Sequence, residues 1–135
     1  MQLVERWVAL AGPRTRRIGA DLDARYGEEH RRYHTREHLT AVLDLVDELS
    51  AYADAPDTVR LAAWFHDAVY DPQRADNEER SARLAERMLA DTDLPADTVS
   101  EVARLVRLTE THAPAQDDRN GQVLSDADLA ILGSD

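Results

Sequence analysis

His66 and Asp67 stand side by side in the run AAWFHDAVY. A neutral imidazole and a carboxylate in adjacent positions are two ligands that one stretch of chain can offer to a divalent cation. Their setting sharpens that reading. Ala63, Trp64 and Phe65 precede the pair and Ala68, Val69 and Tyr70 follow it, a run too apolar for a solvated face. An ionised carboxylate left unpaired there costs on the order of several kcal/mol, so Asp67 must protonate, find a cation or border a wet cleft. The run itself holds no lysine or arginine.

Three further histidines, His34, His38 and His112, are candidates to join the pair. His38 begins a helical stripe with Val42, Leu45 and Leu49, which points it inward. His34 lies one turn before it, with Arg36 nearby, where both could face an anionic substrate at the mouth of a site; for Arg36 the alternative is plain surface solvation. His66 shares a face with Val59, Ala62, Ala63, Val69 and Tyr70, so two imidazoles can meet between helices. One divalent metal would then satisfy His38, His66 and Asp67 together. The alternative pairs Asp67 with an arginine from another helix and leaves both histidines as core residues; spacing does not choose between them.

His112 closes a stripe of Val102, Leu105, Val106 and Thr109 just before Ala113 and Pro114. It either reaches the same site or interacts with the dipole at a helix end. Asp126 and Asp128, in SDADLAILG, fit helix caps or first-turn charges. Apolar neighbours Ala127, Leu129, Ala130, Ile131 and Leu132 favour Asp128 as the carboxylate that turns inward.

The elements that must hold these residues are helices. Apolar residues recur at three and four residue spacings, and no period-two alternation persists. The spacing predicts helices over Leu3–Ala11, Thr15–Tyr26, Thr35–Ala53, from Asp57 through LAAWFHDAVY, from the DPQRADN loop to about Ala90, from Pro95 to near His112, and from about Ser125 onward. Thr35 and Asp57 are the expected caps of the third and fourth. At 135 residues the chain suits one compact domain.

Composition removes several chemistries. The sixteen basic residues are all arginine, so neither a Walker-type lysine nor a Schiff base is available. Cysteine is absent, which excludes thiol nucleophiles, disulfides and thiolate zinc clusters and leaves nitrogen and oxygen ligands for any metal. A net charge of -11 makes long nucleic acids and anionic membranes poor partners, though a bound cation can still draw in a small phosphate ester. No secretory signal or membrane-spanning run is present, and a cytoplasmic location is the default expectation.

In order, His38 followed by LTAVL, AAWFHDAVY, TETH and DADLAILG resemble the HD superfamily of metal-dependent phosphohydrolases over about residues 31–133. The resemblance is closest to a bacterial group of HD-type phosphohydrolases, through YHTREH, WFHDAVYDP and DNEERSA. It implies an all-α, HD-domain-like helical bundle in which His38, His66, Asp67 and Asp128 bind a divalent cation, with Asp126 as the reserve for the last ligand. Such mixed ligation suits manganese, iron, cobalt, nickel or zinc better than a purely magnesium site. The implied reaction is hydrolysis of a small phosphoester, a nucleotide by analogy, by a metal-activated water. Asp67 and Glu78 would be the catalytic carboxylates, with Glu78 orienting the water, although Glu78 also fits an ordinary helix start. His34, Arg36 and His112 would bind the substrate. Relatives continue beyond the distal aspartate whereas this sequence stops at Asp135, which implies a bundle truncated at its C-terminus and open to self-association. Rival readings are an HD-type di-iron oxygenase using additional histidines such as His34 and His112, and a non-catalytic, metal-organised sensor of a nucleotide or metabolite.

Overall fold

The computed structural model describes residues 2–31 and 34–132, and the fold is all-helical. Its helices are α1 (Leu3–Ala11), α2 (Arg16–Tyr26), α3 (Arg36–Leu49), α4 (Pro56–Phe65), α5 (Asn77–Leu89), α6 (Ala96–Leu108) and α7 (Arg119–Leu132). Short 3-10 turns at Pro13–Thr15 and Ser50–Tyr52 lead into α2 and out of α3, the second at a position where the spacing predicts continuous helix. No strand occurs among the described residues.

Helix α4 is the axis of the molecule. Seven of its residues, Thr58, Val59 and Leu61 through Phe65, are buried, as expected of a helix apolar on all sides. It touches α1, α3, α5, α6 and α7. Trp7 of α1 meets Trp64 and Phe65 edge to face, at centroid distances of 5.4 and 6.0 Å, and its indole N–H donates to the carbonyl and hydroxyl oxygens of Thr15. Gly19 on α2 lies against the Trp7 ring, where any Cβ would collide with it. On α3 the buried stripe is Leu39, Val42, Leu43 and Val46, one residue round from the expected one, so Leu45 and Leu49 are only partly covered.

Three helix ends depart from the periodic reading. Helix α4 starts at Pro56 after Ala55, with Asp57 in its first turn instead of at the cap, and stops at Phe65, before His66. Beyond it, the Tyr26 hydroxyl donates to the Trp64 carbonyl and accepts the Asp67 N–H, while the Ser81 hydroxyl accepts the Val69 N–H. Helix α6 stops at Leu108. His112 then adopts the left-handed backbone, φ 50°, that glycine usually fills after a helix, and its N–H still reaches the Leu108 carbonyl.

Helix α7 begins six positions before the expected Ser125. Asp118 starts it: one carboxylate oxygen accepts the Gly121 N–H and its carbonyl accepts the Gln122 N–H, while Arg104 holds the same carboxylate. A side chain on Gly121 would run into Asp118 and Leu108. Asp128 therefore sits deep within a helix, where capping cannot explain it.

Candidate metal centre

The site forms where the end of α4 meets α3 and α7. His38 comes from the first turn of α3, His66 and Asp67 from the turn that follows α4, and Asp128 from the buried face of α7. One donor atom from each of these four residues lies within 4.8 Å of every other. His38 Nε2 is 3.0 Å from Asp128 Oδ1 and 3.6 Å from Asp67 Oδ2. His66 Nε2 is 3.0 Å from Asp67 Oδ2 and 3.3 Å from Asp128 Oδ1.

His66 carries most of the information. Its Nδ1 lies 2.6 Å from the Ala63 carbonyl oxygen, which requires the proton on that nitrogen and turns the other toward the carboxylates. The ring is 2% exposed, and its Nε2 has no hydrogen-bond partner although both carboxylate oxygens are close. Neither oxygen lies along the direction a ring N–H would take. Burial opposes a charge on His66, yet Asp67 and Asp128 beside it hold its pKa well above the usual imidazole range. Burial likewise pushes both carboxyls up, and the surrounding imidazoles outweigh it: His66 and His34 keep Asp67, and His66, His38 and His112 keep Asp128, below the ordinary carboxylate range. The pocket is built for positive charge at its centre.

Nitrogen and oxygen donors of this kind fit a divalent cation, which would replace the proton that otherwise has to sit among them. The alternative of an arginine paired with the Asp67 carboxylate does not occur among the described residues. Arg31 bonds the Asp67 main-chain carbonyl instead, at 2.7 Å.

Two more histidines stand at the rim. His34 Nδ1 is 2.8 Å from Asp67 Oδ2, and His112 Nε2 is 2.7 Å from Asp128 Oδ2. Both have positive φ, 58° and 50°, and they are the non-glycine residues of the described chain that do. Left-handed backbone at such residues costs roughly 1 kcal/mol or more and concentrates at functional sites.

Arg36 and Asp126 turn away from the centre. Arg36 turns outward to Asp23 of α2, with Nε 2.9 Å from the carboxylate, because that ion pair is available on the open side of α3. Glu78 is half-buried in the first turn of α5 and makes no hydrogen bond or ion pair among the described residues. Its neighbours do the work of that segment: Asn77 bonds both the N–H and the carbonyl of Asp71, and Ser81 bonds those of Val69. Asp126 is exposed on the outer face of α7, beside Arg119 and Gln122.

The family model for the HD domain matches residues 32–130. The chain belongs to the HD-domain family. HD domains are typically metal-dependent hydrolases that bind divalent cations, and the four clustered residues of this HD domain supply a donor set of that kind. Comparison with curated proteins and with solved structures gave no match.

Arg31, Tyr26, Asn77 and Ser81 were not legible as site residues. Arg31 sits in the charged run EEHRRYH, which reads as a solvated segment, yet it is buried. Its proximity to YHT was the only available signal.

Proposed function

We propose that this HD domain hydrolyses a small phosphoester at a divalent metal held by His38, His66, Asp67 and Asp128. The observation that supports this most is the buried His66 Nε2, which has no hydrogen-bond partner and lies 3.0 and 3.3 Å from the Asp67 and Asp128 carboxylates. A bound divalent cation supplies Lewis acidity there, acidifying water and neutralising charge on a phosphoryl group.

The remaining roles fall to the chain itself. Asp67 uses Oδ2 for its imidazole contacts, and its Oδ1 has no hydrogen bond among the described residues, so that oxygen can accept a hydrogen bond from the attacking water and orient it. His34 and His112, each tied to a carboxylate through one ring nitrogen, keep the second nitrogen for a phosphoryl oxygen. Nucleotides are the first substrates to offer, on family analogy alone. The net charge of -11 argues for a small ester over a nucleic-acid chain.

Elemental analysis of the purified protein beside a His66→Ala, Asp67→Ala double variant tests the reading, with helicity of both followed by circular dichroism. Stoichiometric metal in the parent, its loss from a still-helical variant, and phosphate release without oxygen consumption are expected. A parent that stays metal-free when manganese, iron, nickel and zinc are offered overturns it. Oxygen uptake without phosphate release assigns the site to oxidation instead.

A further inference from the structure

Arg31 is buried, and its guanidinium gathers main-chain carbonyls from two separate places. Nη1 donates to the His34 carbonyl at 2.9 Å and to the Asp67 carbonyl at 2.7 Å, and Nη2 donates to the Ala68 carbonyl at 3.0 Å. Nε bonds Glu28, and the guanidinium lies 5.1 and 5.6 Å from the ring centres of Tyr26 and Tyr70. Glu28 is the carboxylate partner that this buried cation needs. From Asp67 it takes the peptide oxygen and leaves the carboxylate to the imidazoles.

The bonds close a circuit. Arg31 holds the His34 carbonyl, the His34 ring holds the Asp67 carboxylate, and the Asp67 carbonyl returns to Arg31. Through it, the left-handed backbone of His34 and the turn after α4 are fixed by one planar fork. A point charge could not match its three directions.

Resting on the metal reading above, we propose that Arg31 is a positioning residue for the metal centre, setting the Asp67 carboxylate by its grip on the turn and on His34. Arg31→Lys keeps the charge and loses the fork. Cobalt(II) titration of the full chain, read by visible absorption, reports both affinity and coordination geometry, and melting of the metal-free protein reports the scaffold.

Cobalt affinity is expected to fall about tenfold or more in Arg31→Lys, with an altered absorption band and metal-free melting close to that of the parent. Unchanged affinity and spectrum in a folded variant overturn the proposal, as does a loss of affinity with the parent's spectrum that only follows a lowered melting temperature. Should Arg31→Lys not fold, Glu28→Gln serves, since Glu28 is exposed and holds only the fork's Nε: weaker cobalt binding at unchanged melting supports the role, and unchanged binding overturns it. A parent that takes up no cobalt overturns the metal reading itself, and this inference with it.

Discussion

Helix α4 is held in two different ways along its length. Its body is packed by apolar surface, with Trp7 against Trp64 and Phe65 and the buried residues of α3, α6 and α7 around it. Past Phe65 the helical ladder runs out with the His66 N–H on the Ala62 carbonyl and one turn bond from the Ala68 N–H to the Phe65 carbonyl, and directional bonds from Tyr26, Arg31 and Ser81 take over. Apolar packing has many near-equivalent solutions, whereas a hydroxyl or guanidinium fixes a particular peptide group. The difference explains why His66 and Asp67 occupy a turn: there both project toward one point, which neighbours on a continuous helix, about 100° apart, do less readily.

The sharpest way to separate the regions is to damage only the body. Trp7→Ala empties a fully buried indole site and is expected to cost about 3–5 kcal/mol, measured by urea unfolding. Metal uptake per folded molecule should stay at the parent value, because Trp7 packs on the rings of Trp64 and Phe65 in the body of α4. If metal affinity falls in step with stability, the two ends are one mechanical unit and the distinction fails.

Tyr26→Phe makes the complementary cut, removing one oxygen from the polar end and no apolar surface. The hydroxyl serves both the Trp64 carbonyl and the Asp67 N–H, and burial pushes its pKa far above the usual phenol range, so it remains a donor in alkaline solution. Its loss is expected to lower stability by about 1–2 kcal/mol. Cobalt affinity should also fall, a combination that Trp7→Ala does not produce.

The same contrast governs what was legible in the sequence. Leu3–Ala11 was readable to the residue, and Asn77–Leu89 nearly so, because apolar spacing within a helix reports its own burial. His38, His66, Asp67 and Asp128 were also readable as a candidate set, through the ordered motifs and the cost of burying Asp67. The path of residues 66–69 was not. It depends on Tyr26 and Arg31, at sequence separations of 36 to 41, and neither separation leaves a local pattern. The start of α7 was missed for a related reason: Asp118 and Gly121 form its first turn with help from Arg104, fourteen positions back on α6. Glu78 shows the converse case. The segment around it matters, but through Asn77 and Ser81, whose short polar side chains reach peptide groups that the Glu78 carboxylate leaves alone.

The smallest expected effect lies outside both regions, on the seam between α5 and α6. Glu79 bonds Arg107 through both oxygens and Arg83 through one, and Arg107 above all lowers its pKa from 4.5 to about 2. A carboxyl whose folded pKa is depressed contributes stability above its unfolded pKa and loses it as the pH falls toward the folded value. The parent should therefore melt slightly above Glu79→Gln at pH 5, with the gap closing between pH 4.5 and about 2. The effect stays small because the pair is exposed and screened by solvent. Cobalt affinity at neutral pH should be the same in both proteins, since the polar partners of Glu79 are Arg83 and Arg107 on the α5–α6 seam. A change in affinity would extend the polar frame of the site through α5, from Ser81 and Asn77 out to the surface charges.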